Sequence, residues 1–259
     1  MKILVTCPPM LGMINLFTPL FEKHGIEVTS PKVVQTLLVE ELIELVPQHD
    51  GWIIGDDPAT RAVFEAGKQG KLKAAVKWGI GVDNVDFAAC KDLDIPIINT
   101  PDMFGAEVAD IAMGYVIALA RETFQIDRNI RDGQWLKPRG ISLSGKSVAL
   151  VGYGDIGKNT AKRLLASGMK VIAYDPFASN ENNVSGVQHE KWPHRIEEAD
   201  FIVVTCSLTE SSKHMVNKEL LEKAKDGVRI VNVGRGPIID EVALESALMS
   251  EKVYSAALD

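Results

Sequence analysis

The sequence is poor in aromatic residues, with 6% Phe, Trp and Tyr, and has only three cysteines in 259 residues. Cys7, Cys90 and Cys206 are odd in number and far apart, with no C-x-x-C pair. That spacing excludes a disulfide framework and a cysteine zinc site, and it points to a reducing, cytoplasmic compartment. A free cysteine packs like a small hydrophobe, so all three are expected as buried apolar side chains. The histidines (His24, His49, His189, His194 and His214) lack metal-ligand spacing, and neither H-E-x-x-H nor G-x-S-x-G occurs. Zinc-peptidase and serine-hydrolase chemistry therefore lack their residues, and no metal is expected. Long hydrophobic runs are missing too: Ile111 to Ala120, interrupted by Gly114 and Tyr115, is about half of the ~20 residues that cross a bilayer. The apolar start is cut by Pro8 and Pro9, unlike a secretion signal. Basic blocks are also lacking, since 28 Lys and Arg face 35 Asp and Glu for a net charge of −7. This balance argues against nucleic acid or a membrane as partner, while a small anion needs only two or three placed cations.

What is present is the composition of a globular chain, 46% apolar and 24% charged, with the length of one large or two modest domains. Short β-branched runs alternate with segments of helical period, which indicates an α/β architecture with parallel strands. Strands are expected at Ile3–Thr6, Trp52–Ile54, Ala74–Lys77 and Pro96–Asn99, with helices near 13–24, 39–46, 60–66 and 85–91. A long helix near 106–121 follows, its apolar face formed by Val108, Ile111, Ala112, Tyr115, Val116 and Leu119. A second α/β unit has strands at Ser147–Val151, Val171–Tyr174, Phe201–Thr205, Arg229–Val233 and Val253–Ala257. Its helices are expected after the glycine turn to about Ala166, at 217–224 and at 240–249. Asn99-Thr100-Pro101 marks the boundary, because the residue before a proline is pushed out of helical geometry.

Gly152, Gly154 and Gly157 form G-x-G-x-x-G after an apolar strand and at the start of a helix, and Asp175 closes the next strand. Each glycine has a physical reason in a dinucleotide site. The first permits the tight turn, the second lets backbone approach a pyrophosphate, and the third lets helix and strand pack closely. The helix N-terminus supplies N–H donors for the anion. Asp175 would accept hydrogen bonds from the adenosine ribose and repel the extra phosphate of NADP, so NAD is the expected cofactor. The alternative is a structural glycine turn without ligand. Gly152 to Lys158 also fits G-x-x-x-x-G-K, but Asn159 stands where a P-loop needs a hydroxyl for magnesium.

Arg235 lies between two glycines just past a strand end, where ligands sit in open parallel sheets. Its planar fork matches a carboxylate bidentately; the alternative is a solvated loop arginine. In the first unit, K-W-G-I-G places the N–H groups of Ile80 and Gly81 where they form either an anion nest, with Lys77 adding charge, or an ordinary turn.

Together these stretches resemble the NAD-dependent D-isomer-specific 2-hydroxyacid dehydrogenases, most closely the phosphoglycerate dehydrogenase-like members. The resemblance spans the chain through G-I-G-V-D-N-V-D at 79–86, N-T-P at 99–101, E-V-A-D at 107–110, L-S-G-K at 143–146, Y-D-P at 174–176 and V-N-V-G-R-G at 231–236. It implies two doubly wound parallel-sheet domains: a flavodoxin-like substrate domain over 1–99 and a Rossmann-type NAD domain over 100–259 lacking its C-terminal end. It also implies a homodimer acting on a small 2-hydroxy or 2-oxo acid. Carried across, Arg235 is the catalytic arginine on the substrate carboxylate, and Ile80 and Gly81 hold the same group through backbone. Lys77 falls where some members have an arginine for a distal anion, which suggests a phosphate or second carboxylate. Gly152, Gly154, Asp155, Ile156, Gly157, Asp175, Cys206 and Val233 surround the cofactor, and Asp259 meets the nicotinamide carboxamide. Phe104 replaces the asparagine of many relatives. The family's paired glutamate and histidine fall after the position of Asp259, so no acid–base residue is assigned. The 259 residues are accordingly expected to be a fragment or a naturally shortened relative. The alternative function is a non-catalytic NAD-binding sensor or interaction module.

Overall fold

In the computed structural model, which describes residues 1–178 and 183–259, the chain divides into two units, Met1–Met103 and Phe104–Asp259. The first holds β1 (Lys2–Val5), α1 (Pro8–Gly12), α2 (Ile14–Lys23), β2 (Glu27–Thr29), α3 (Val39–Leu45), β3 (Gly51–Ile54), α4 (Arg61–Gln69), β4 (Ala74–Lys77), α5 (Phe87–Asp92) and β5 (Ile97–Asn99). Its sheet is parallel, in the order β2-β1-β3-β4-β5, the flavodoxin-like winding. Pro8 and Pro9 do not simply stop the first strand; they open α1, where a missing N–H costs nothing. The helix expected from Val85 starts at Phe87 instead, because Val85 bridges to Ala59 and Asp86 caps α5 through the Ala89 N–H at 2.7 Å.

At the end of β3, Asp57 is fully buried. Its carboxylate accepts from the Thr6 hydroxyl, the Leu37 N–H at 3.0 Å and the Gly55 N–H at 3.2 Å, while the Trp52 indole donates to Thr6 at 2.9 Å. A buried carboxylate with this many donors is tolerated because each oxygen is satisfied. This network ties β1, β3 and the segment before α3 together.

The second unit holds α6 (Gly105–Arg121), α7 (Thr123–Arg131), β6 (Ser147–Val151), α8 (Asp155–Ala166), β7 (Lys170–Tyr174), β8 (Val187–His189), β9 (Phe201–Val204), α9 (Lys218–Lys223), β10 (Val228–Asn232), α10 (Glu241–Met249) and β11 (Val253–Leu258). The strands are all parallel, in the order β11-β10-β9-β6-β7-β8. Counted within the unit this is the 3-2-1-4-5-6 winding of dinucleotide-binding domains, with its reversal between β6 and β9. Every residue of β9 and β10 is buried, as parallel strands covered on both faces must be.

Helix α6 packs on α8, β10 and β11 and buries Ala109, Ala112, Met113, Val116, Leu119 and Ala120. Ile111, expected on the buried face, is 47% exposed. Ala109 and Met113, two residues to either side, are buried instead. The three-residue edge strands β2 and β8 and the helix α7 were not expected. None of the α7 residues is buried, so its apolar side chains, Phe124, Ile126 and Ile130, join no core of the unit.

At the start of β9, Asp200 accepts the Ser147 N–H at 2.9 Å and the Lys225 ammonium at 2.7 Å. Burial raises its pKa, but these two donors outweigh it and hold the group below the usual carboxylate range. A depressed pKa stabilises the fold above the unfolded value and ceases to do so as pH falls through the folded one. Asp200→Asn is therefore expected to lower the melting temperature by a few degrees at pH 7. The difference from the parent should fade below about pH 4. An equal gap at pH 7 and pH 3 in thermal melts would contradict this assignment.

Candidate functional site

The chain leaves β6 at Val151 and must reverse into α8 within three residues. Gly152 does this at φ +93°, in the region L side chains avoid, and a Cβ there would lie 2.6 Å from the Cys206 backbone nitrogen. A Cβ on Gly157 would run into the Gly152 carbonyl oxygen. Gly154, the N-cap of α8, faces open space, with nothing within 4 Å of the point a Cβ would occupy. Two glycines are thus required by the fold, and the third leaves room in front of a helix N-terminus. That is the shape a diphosphate needs, with the first-turn N–H groups of Asp155, Ile156 and Gly157 as donors. The turn lies at the β6/β9 reversal, where Thr205 donates its hydroxyl to the Val151 and Gly152 carbonyls at 3.1 and 2.9 Å.

Asp175, past the end of β7, accepts the Tyr153 N–H at 2.7 Å on one oxygen and the Phe177 N–H at 2.8 Å on the other. An ionised carboxylate has about four acceptor positions, so two remain for ribose hydroxyls. Tyr153 is itself anchored: its hydroxyl donates to Asn183 Oδ1 at 2.9 Å and accepts the Val184 N–H at 2.9 Å, and His189 packs edge-on against its ring. Cys7 and Cys90 are buried as expected, but Cys206 is only half-buried, its backbone lying over Gly152. Burial pushes its thiol up to about 11, so it remains protonated at neutral pH. Ile156 is half-buried, and the Val233 side chain lies in the core beside Ala257.

Arg235 follows β10 and is half-buried. Its Nη1 donates to the Gly234 carbonyl at 3.1 Å. The loop is shaped by the buried Asn232, which accepts the Gly234 N–H at 2.9 Å and donates to the Arg235 carbonyl at 3.0 Å. Gly234 is required by packing, since a Cβ would lie 2.6 Å from the Cys206 carbonyl oxygen. Asp259, past β11, donates its N–H to the Asn232 carbonyl at 2.9 Å. Its carboxylate accepts the Tyr115 hydroxyl at 3.4 Å. The glycine turn, Asp175, Cys206, Arg235 and Asp259 therefore all follow the C-terminal ends of strands in one parallel sheet.

In the first unit, Gly79 has φ +137° and donates its N–H to the Thr100 hydroxyl at 2.8 Å, and Asn99 donates to the Ile80 carbonyl at 3.3 Å. These contacts fix the turn carrying the Ile80 and Gly81 N–H groups. Lys77 lies beneath it, 2% exposed, donating to the Gly55 carbonyl and to Asp56 Oδ1 at 3.0 Å. Its Nζ would be 3.9 Å from a Cβ on Gly79. Lys77 is thus a buried, partnered cation, and any bound anion would share it with the exposed Asp56.

Sequence reading missed Asn232, Thr205, Tyr153 and Asn183. Asn232 and Thr205 lie within stretches that were read, V-N-V-G-R-G and the strand Phe201–Thr205, at strand ends where a polar residue follows an apolar run. The Tyr153–Asn183 pair carries no local signal.

Residues 113–259 match the family described as D-isomer specific 2-hydroxyacid dehydrogenase, NAD binding domain. Hydroxypyruvate reductase of Thermotoga maritima is 40% identical over 93% of this chain and 77% of its own length. D-3-phosphoglycerate dehydrogenase of Archaeoglobus fulgidus is 35% identical over 100% of this chain, which spans only 48% of that longer protein. Among solved structures, apo D-lactate dehydrogenase from Escherichia coli superposes with a TM-score of 0.87 at 28% identity, covering 100% of this chain and 82% of that one. All three relatives carry enzyme names, so a non-catalytic sensor gains no support from them.

Proposed function

The chain belongs to the D-isomer-specific 2-hydroxyacid dehydrogenases, with an NAD-binding domain as its second unit, and on that premise we propose that it interconverts a D-2-hydroxy acid and its 2-oxo acid. The observation that carries this reading is the placement of an open glycine turn, the carboxylate of Asp175 and an arginine at the C-terminal edge of one sheet. Bound NAD supplies the hydride chemistry. The first-turn N–H groups after Gly154 hold its diphosphate, Asp175 takes the adenosine ribose, and Asp259 takes the carboxamide. Arg235 is assigned to the substrate carboxylate, which its fork fits with two parallel hydrogen bonds. Negative charge develops on the neighbouring oxygen during reduction, and a guanidinium beside it stabilises that charge. The first unit is assigned to the substrate, with the Ile80 and Gly81 N–H groups as its anion-binding turn. Lys77 favours a second anionic group on the acid. The protein is further read as a cytoplasmic homodimer, which sedimentation at micromolar concentration checks.

The test is NADH oxidation against hydroxypyruvate, its phosphorylated form, pyruvate and a simple ketone. Turnover is expected with the 2-oxo acids only, and at a low rate, since no residue of the chain is assigned as the acid–base group that contributes about 10²–10⁴-fold. The phosphorylated acid should show the highest kcat/KM; equal values for it and pyruvate would remove the role given to Lys77. Arg235→Gln is expected to lower kcat/KM for every 2-oxo acid by about 10²-fold or more, the size of losing a charged contact made in the transition state. Oxidation of NADH by the simple ketone as fast as by the 2-oxo acids would overturn the dehydrogenase reading.

A further inference from the structure

Helices α6 and α8 begin side by side, and the first residue of each touches the other. The Asp155 carboxylate lies on Gly105, so closely that a Cβ at position 105 would collide with its carboxylate. Asn159, one turn along α8, donates to Asp155 Oδ1 at 2.9 Å, while Oδ2 is buried with no hydrogen-bond partner among the described residues. Arg163, in the last turn of α8, ties that helix to the first turns of α6 through the Ala106 carbonyl at 3.2 Å and Asp110 at 2.7 Å. Gly105 is therefore held against the carboxylate.

An acidic side chain at the start of a helix is attracted by the same N–H groups that would receive a bound diphosphate. Asp155 stands directly after Gly154, where the open space lies. Left to itself, its carboxylate would occupy or repel anions from that space. Resting on the NAD-binding reading, we infer that Gly105 is a positioning residue for the cofactor: its missing side chain lets the Asp155 carboxylate fold back against α6, which keeps a negative charge off the diphosphate track. The buried, unpartnered Oδ2 marks the fold-back. That oxygen gives up solvent and finds no donor, and it is accommodated only because position 105 carries no side chain.

The backbone of Gly105 is helical and lacks a positive φ, so alanine there raises helix propensity and strains nothing in the main chain. What must move is the end of a short side chain. In Gly105→Ala the carboxylate swings out, toward the space before Gly154.

The test is NADH affinity by fluorescence titration, with thermal melts, on the parent chain, Gly105→Ala, Asp155→Asn and the double variant. Gly105→Ala is expected to melt no lower than the parent yet bind NADH about tenfold more weakly, as one like-charge contact in a partly solvated site does. Part of that loss should disappear at high salt. Asp155→Asn, which keeps the backbone N–H and removes the charge, gives the reference affinity for an uncharged side chain at this position. The double variant should return to within about twofold of Asp155→Asn, since the amide carries no charge to displace. Asp155→Glu, whose longer side chain cannot seat against Gly105 in the same way, should weaken binding on an unchanged α6, and it decides the matter if Gly105→Ala fails to fold. Parental affinity in Gly105→Ala, or equal weakness in Gly105→Ala and the double variant, overturns the inference while the cofactor reading stands. A parent chain that binds no NADH removes both.

Discussion

Replacing Asp175 with Asn is expected to remove the chain's preference for NADH over NADPH. In the parent, the carboxylate past β7 keeps two free acceptor positions for ribose hydroxyls, after taking the Tyr153 and Phe177 N–H groups at 2.7 and 2.8 Å. A 2′-phosphate brought to the same place would meet this negative charge at about 4 Å, a repulsion of roughly 1–4 kcal/mol at the dielectric of a protein surface. NADH should therefore bind roughly fivefold to nearly a thousandfold more tightly than NADPH. Asn keeps the shape and one acceptor but loses the charge. NADH affinity should fall about tenfold or more, the size of a hydrogen bond to an ionised group, and the ratio of the two dissociation constants should approach one. The preference would be lost through both terms at once. A parent chain that binds the two cofactors alike, or a variant that keeps the full preference, would show that Asp175 does not face the ribose.

The second large effect separates two glycines that look equivalent in the sequence. Gly157 is required by packing, because a side chain there runs into the Gly152 carbonyl. Gly157→Val should cost about 3 kcal/mol through overpacking, lower the melting temperature by roughly 6–12 °C, and abolish NADH binding by prying α8 away from the turn. Gly154 is open on the side its Cβ would occupy. Gly154→Ala should leave the melting temperature within about a degree of the parent while weakening NADH at least tenfold, because the methyl group takes the room of the diphosphate. Calorimetry and titration on the two variants check this. Binding lost in step with stability in both would mean that the open space is not the diphosphate site.

The parts of this site legible in the sequence are those where the backbone dictates the residue. Gly152 must reach φ +93°, Gly157 must admit a carbonyl, and an acid must follow the next strand, so the pattern and its order along the chain suffice. The parallel strands β9 and β10 were legible for a similar reason, since burial on both faces leaves no choice but continuous apolar residues. Elements without such a requirement stayed hidden. The edge strands β2 and β8 have three residues each, too few to show a period, and α7 is a short segment that buries none of its residues. The exposure of Ile111 depends on which side of α6 faces the rest of its unit, which only the fold decides. Contacts between distant side chains were equally silent: Thr6 with Asp57, Tyr153 with Asn183, and above all Gly105 with Asp155. Lys77 read as an available cation, but its alternating position in β4 turns it inward, onto Gly55 and Asp56.

The central claim is that the turn from Gly152 to Gly157 and the carboxylate of Asp175 hold one dinucleotide at the β6/β9 reversal. A crystal structure of the chain soaked with NADH tests it most directly. The expected density places the diphosphate against the backbone N–H groups after Gly154 and the adenosine ribose within hydrogen-bond distance of Asp175. A dinucleotide bound elsewhere, or a diphosphate turned away from the start of α8, would contradict it.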